Sequence, residues 1–202
     1  RRLSAAAANG GTDAANPPQA PQPQAQAPAQ GAAAQQPAQA QGHPAEQAAQ
    51  PQANANLPLG VRNNNPLNIV DLGRLGPWEG QEGVNGGFAR FGDPVSGLRA
   101  GAITIISHQT RHNRNTVQEI ISRHANTSPE NEQTRYAQHV ANALGVRPGD
   151  EINTQDPETL RIMMRAMIEF ENGRTAAGMY TDDDIRNGAN AGITHHSRRQ
   201  NR

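Results

Sequence analysis

The sequence predicts an α+β domain, mainly helical, behind a long disordered segment. Three observations carry this. Residues 1–56 are almost wholly Ala, Gln, Pro, Gly and Asn, with Arg1, Arg2, Asp13 and Glu46 as their only formal charges. Such a stretch has too little apolar surface to offset the entropy of ordering it. From Leu57 onward, apolar residues recur at helical spacing between recognisable caps. The only strand-like signals lie in the glycine-rich region Asp71 to Phe91. The expected organisation is a linker at 1–56, one compact domain at 57–194, and a loose basic tail at 195–202.

In chain order, Leu57 to Ile69 (LPLGVRNNNPLNI) reads as turn-forming rather than helical, because of its Asn and Pro cluster. Asp71 to Phe91 suits an irregular hairpin or a loop over a cleft, with Phe88-Ala-Arg-Phe91 as a short strand. Asp93-Pro94 opens a helix whose inner face holds Leu98, Ala102, Ile105 and Ile106. Thr116 and Glu119 form a capping box ahead of Ile120 and Ile121. Ser128-Pro129-Glu130 opens the next helix, with Tyr136, Val140, Ala143 and Leu144 as its stripe and Gly145 as its stop. Asp156 and Pro157 start a fourth helix that Gly173 ends. Thr181 to Ile185 adds at most one turn. Four principal helices and one small β element result.

The fourth helix holds the candidate chemistry. Leu160, Met163, Met164 and Met167 fall at i, i+3, i+4 and i+7, and the next position on that face is Glu171. A carboxylate thus closes an apolar stripe at the negative end of a helix. Desolvation and the dipole both favour the protonated acid there. That is the state a general acid needs for glycosidic cleavage. The competing reading is a frayed helix end with Glu171 in water. Glu169, four after Arg165, has the spacing of a surface ion pair.

Composition bounds the rest. Net charge is zero, which argues against nucleic acid as the main ligand. The chain has no cysteine, so disulfides and Cys-ligated metals are excluded. His108 and His112 have the spacing of a zinc helix but lack the HExxH carboxylate, so no metal or other cofactor is expected. No apolar run reaches membrane-spanning length. The opening Arg1-Arg2-Leu3-Ser4, without Met, is read as a processed or partial product.

Several motifs in order then carry a resemblance. They are Arg62-Asn-Asn-Asn-Pro-Leu-Asn-Ile69, Pro77-Trp-Glu-Gly80, Phe88-Ala-Arg-Phe91-Gly-Asp-Pro-Val-Ser-Gly97, Asn115-Thr-Val-Gln-Glu-Ile-Ile-Ser-Arg123, Glu132-Gln-Thr-Arg-Tyr136 and Phe170-Glu-Asn-Gly173. Together, over about Leu57 to Ile193, they resemble the peptidoglycan-degrading, lysozyme-like domains of bacteriophage virion proteins. The segment Asn63 to Phe91 is similar to the turn and hairpin after the catalytic helix of flagellar-type glucosaminidases. Glu132 to Tyr136 resembles an element of soluble lytic transglycosylases, with one residue inserted. In those families the catalytic helix comes first. Here the Glu-ended helix follows, which implies a circular permutation. Leu67 stands where the phage sequences usually have Gly, a departure that would alter the turn.

The resemblance implies cleavage of peptidoglycan between N-acetylmuramic acid and N-acetylglucosamine, with Glu171 catalytic. The expected location is a virion acting in the host periplasm or cell wall, with the linker as a tether to other virion proteins. A lytic transglycosylase needs no second carboxylate. A hydrolase does, and Asp71, Glu79 and Glu82 are the candidates. Substrate contacts are expected from Asn65, Asn68, Trp78, Glu82 and Tyr136. For Asn65 and Asn68 the alternative is a turn-holding role, for Trp78 an anchor in the core, for Glu82 a solvated loop acid, and for Tyr136 core packing. Hydrolytic muramidase or glucosaminidase activity, or a non-catalytic peptidoglycan-binding module, are the alternative functions.

Overall fold

Among the residues that a computed structural model of the chain describes, 56–201, the helices outnumber the strands and enclose one apolar core. Apart from Asn56, the expected linker lies outside the described residues. A short helix, α1 (Leu59–Arg62), sits inside the segment expected to be turns only. After a 3₁₀ turn at Gly73–Leu75 come β1 (Gln81–Asn85) and β2 (Phe88–Phe91). These pair antiparallel as a two-stranded sheet, with an irregular register between Gln81 and Gly83. Gly86 and Gly87 both have positive φ, 62° and 85°, which a tight two-residue hairpin turn demands.

The helices that follow are α2 (Pro94–His112), α3 (Val117–His124), α4 (Glu130–Leu144), α5 (Pro157–Ala177) and α6 (Asp182–Gln200). Their starts follow local side-chain chemistry. Asp93 accepts from Ser96 N at 2.9 Å, Asp156 accepts from Thr159 N at 2.8 Å, and Thr116 with Glu119 closes a capping box. Such caps are each worth about 1 kcal/mol. Gly145 ends α4 in the left-handed conformation (φ 71°).

Four expectations need correction here. α6 is a full helix, not one turn, so Glu171 does not stand on the last helix of the domain. His195 to Gln200 are the end of α6 rather than a loose tail. Gly173 (φ 77°, ψ 157°) kinks α5 instead of ending it, and one further turn runs to Ala177. On α4, Ala143 is exposed, and Ala137 and Ala141 take the buried positions beside Tyr136 and Val140.

α6 was hidden by its own glycines. Gly188 and Gly192 read as helix breakers, yet they are where α6 meets α2. A Cβ on Gly188 would stand 2.4 Å from Leu98 Cβ, and one on Gly192 2.5 Å from Ala102 Cβ. The helices pack closer than side chains allow, and dense packing outweighs the ~1 kcal/mol propensity cost of each glycine. The next strip of α2 works likewise. Gly101 leaves room for Leu67, which is fully buried against it. Leu67 is therefore a core residue; the positive φ values fall on Asn64 and Asn68, both 50°.

The α5 stripe is the centre of the core. Leu160, Met163, Met164 and Met167 are all fully buried. Each contributes roughly 1.5–3 kcal/mol by burial. The outer side of α5 is not paired as expected. Arg165 bonds Ala177 O at 3.0 Å and Asp182 at 2.7 Å, and the Glu169 ion pair does not form. The kink at Gly173 folds the end of α5 and the start of α6 back within reach of Arg165.

Candidate active site

The face that carries the methionines delivers Glu171 to the point where α3, α4 and the α1–β1 loop meet α5. Its side chain is 12% exposed. Oε1 accepts from the Tyr136 hydroxyl at 2.7 Å and lies 3.1 Å from His124 Nε2, while Oε2 accepts from Asn68 Nδ2. Three polar groups from three separate segments thus converge on one carboxylate.

Each partner is held by its own surroundings. Tyr136 stacks on Phe170 with ring centroids 4.1 Å apart and planes within 9°. Burial, then the Glu171 charge and hydrogen bond, push its phenol well above the usual tyrosine range, so it remains a donor. His124 is the last residue of α3, with 8% of its side chain exposed. Behind it, His108 packs edge-on at 6.2 Å. Burial and the neighbouring cations drive His108 down to about 3, so that ring is neutral. Asn68 sits in the left-handed region, which asparagine tolerates better than most residues.

The loop bearing Asn68 is built by other asparagines. Asn65 is fully buried; its Nδ2 donates to Ile69 O and Ala89 O at 2.8 Å each, and its Oδ1 accepts from Ile69 N at 2.8 Å. Every polar atom of that amide is engaged, so Asn65 holds the turn and has none left for a ligand. Asn172 Nδ2 donates to Pro66 O at 2.7 Å, tying the loop to the residue after Glu171. Gly60 admits this packing: a Cβ there would lie 2.8 Å from Asn172 Oδ1 and from Asn68 Oδ1.

The remaining expected residues lie apart from the carboxylate's bonding shell. Glu82 is a surface acid paired with Arg90 at 3.3 Å. Glu79, 78% exposed, pairs with Arg99 at 2.5 Å. Asp71 accepts from Gly73 N at 2.9 Å and from Gln81 Nε2 at 2.6 Å. Trp78 is half-buried and donates through Nε1 to Val70 O at 3.1 Å. It borders a cavity of about 470 Å³ between the 72–79 segment, α2 and α6. Neither this cavity nor its neighbour of about 700 Å³ is lined by Glu171. Cavity size and chemical convergence therefore disagree. The carboxylate cluster is the stronger site, since three side chains from separate segments converge on one nearly buried carboxylate. Among the described residues no group of three or more His, Asp or Glu is placed to hold a metal, and the His108 and His112 rings stand 6.3 Å apart.

His124 was missed in the sequence, where a histidine at a helix C-terminus reads as a dipole complement. The available signal was its place four residues after buried Ile120, the same end-of-stripe position that marks Glu171.

No protein-family model matches the chain. Over 132 residues it is 36% identical to Protein P5 of Pseudoalteromonas phage PM2, an alignment that spans 64% of this chain and 78% of that protein. With that identity over most of the relative's length, the chain belongs to the same family as the phage PM2 Protein P5.

Proposed function

We propose that the domain cleaves the glycan strand of bacterial peptidoglycan between N-acetylmuramic acid and N-acetylglucosamine, as a lytic transglycosylase, and that a phage particle uses it to penetrate the cell wall. The observation that carries this is the nearly buried Glu171, oriented by Tyr136, His124 and Asn68. The phage relative is consistent with a virion location. A lysozyme-like fold in permuted order, and a tethering role for residues 1–56, belong to the same proposal.

Glu171 donates its proton to the glycosidic oxygen as the C1–O bond breaks, and the N-acetylglucosamine side leaves as an alcohol. The carboxylate then takes the proton of the muramic C6 hydroxyl. O6 closes on C1, giving the 1,6-anhydro ring and returning Glu171 to the acid. Tyr136, kept as a phenol, and Asn68 steady the anion between the two transfers. No water and no second carboxylate enter. The hydrolytic route requires one, and Asp71, Glu79 and Glu82 are each engaged elsewhere.

Mass spectrometry of the products from purified peptidoglycan tests the proposal. Anhydro-muropeptides are the expected result. Reducing-end muropeptides would replace the transglycosylase with a hydrolase, and no products would leave a wall-binding module. Glu82→Gln is expected to keep most of the turnover; its loss would identify a second catalytic acid.

A further inference from the structure

α2 and α6 carry cations that the Glu171 cluster does not touch. Arg99 and Arg111 recur on one side of α2, and His195 and Arg199 lie on the facing side of α6. With Trp78 and Leu75 they surround the 470 Å³ cavity. Arg99 is held from both sides, by Glu79 at 2.5 Å and by donating to His195 Nδ1 at 3.2 Å. Arg111 and Arg199 pair with no carboxylate among the described residues. Three guanidiniums thus face a concavity that supplies a single acid, Glu79. Guanidinium forks match planar anions, carboxylates above all. The opposite wall is apolar: the half-buried Trp78 ring and Leu75, which is 85% exposed. A bare inorganic ion would leave that wall unused, whereas an organic ligand whose methyl and methylene groups stand beside its carboxylates contacts both.

The cavity is also coupled by the chain to the carboxylate. Asn68 bonds Glu171, and Val70, two residues on, accepts from Trp78 Nε1 at 3.1 Å. The loop that bonds Glu171 and the wall of the cavity at Trp78 thus belong to one short segment of chain. We propose that the Trp78–Arg99–Arg111–Arg199 cavity binds the carboxylate-bearing peptide that branches from the wall glycan, an assignment that rests on the peptidoglycan reading above.

His195 reports the same field. Burial first, then Arg99 and Arg199, lower its pKa, with Arg111 adding to this and Glu79 opposing it. A bound carboxylate counters the guanidiniums and raises it.

The test uses the full chain carrying Glu171→Gln, so that no ligand is turned over. The probe is the free tripeptide alanyl-γ-glutamyl-diaminopimelate, which has no sugar for the glycan site. Trp78 is the chain's single tryptophan, so its fluorescence reads this cavity directly. Saturable binding is expected, together with a rise in the His195 pKa by NMR. Amidating the peptide's carboxylates is expected to weaken binding at least about tenfold, and Arg111→Gln with Arg199→Gln roughly tenfold at an unchanged melting temperature. A silent Trp78, equal binding of the amidated peptide, or saturable binding of inorganic phosphate with the tripeptide inert overturns the assignment. The amidated ligand keeps the test decisive if the double variant unfolds. Peptide binding by a protein whose parent form releases no muropeptides would keep the cavity and sink the cleavage reading. Cleavage without peptide binding would do the reverse.

Discussion

Glu171→Gln separates chemistry from architecture, and the structure sets both magnitudes. The carboxylate accepts through both oxygens: from Tyr136 and His124 on one, from Asn68 on the other. An amide supplies one acceptor oxygen. With that oxygen in the Oε1 position, the Tyr136 and His124 bonds survive, and the new NH₂ meets the Asn68 NH₂. Two donors then face each other at a nearly buried point, which costs about 1–3 kcal/mol. For a domain of this size each kcal/mol lowers the melting temperature by roughly 2–4 °C. The variant is thus expected to stay folded but melt measurably lower. Turnover is expected to fall by about 10²–10⁴-fold or more, the usual contribution of a general acid. Quantified muropeptide release and a thermal melt on the same preparation read the two effects separately. A lowered melting temperature with turnover within about tenfold of the parent would refute the catalytic assignment while leaving the bonding network intact.

Three further outcomes follow from particular contacts. Tyr136→Phe keeps the stack on Phe170 and removes one bond to Glu171, so turnover is expected to drop about tenfold or more with a melting loss of only ~1 kcal/mol; unchanged turnover would demote the hydroxyl to packing. Gly192→Ala improves helix propensity by ~1 kcal/mol but sets a methyl 2.5 Å from Ala102 Cβ, and over-packing of about 1–3 kcal/mol is expected to win, read as a lower urea midpoint. His108 has a folded pKa of about 3 against 6.5 for an exposed ring, so it is neutral in the fold and takes a proton on unfolding. Its contribution is complete above pH 6.5 and is lost as pH falls toward 3, at up to ~1.4 kcal/mol per pH unit. Urea midpoints at pH 7 and pH 4.5 should show that loss, and His108→Leu should shrink it.

The legible parts of the molecule were those governed by neighbours in sequence. The Asp93, Thr116 and Asp156 caps, the Gly145 stop and the methionine stripe of α5 all depend on residues within a few positions, and all stand where the pattern puts them. The illegible parts are those in which a residue answers to a distant one. Arg165 has Glu169 at pairing distance along the helix, yet it turns to Asp182, brought near by the Gly173 kink. Asn65 looks like a sugar-binding amide in isolation, but the β2 backbone at Ala89 claims it. α6 contains glycines that local propensity reads as breaks, because their purpose lies in Leu98 and Ala102 of another helix.

By itself, then, the sequence determined a mainly helical α+β domain, the starts of its capped helices, and the one carboxylate that ends an apolar stripe. Periodicity and capping are short-range, and a hydrophobic face names its own last residue. Only the tertiary structure decided what surrounds that carboxylate. Asn68, His124 and Tyr136 are 103, 47 and 35 residues from Glu171 along the chain. No spacing rule connects positions so far apart; the loop tied down by Asn65 and Asn172, and the packing of α3 on α4 and of α4 on α5, bring them to one place.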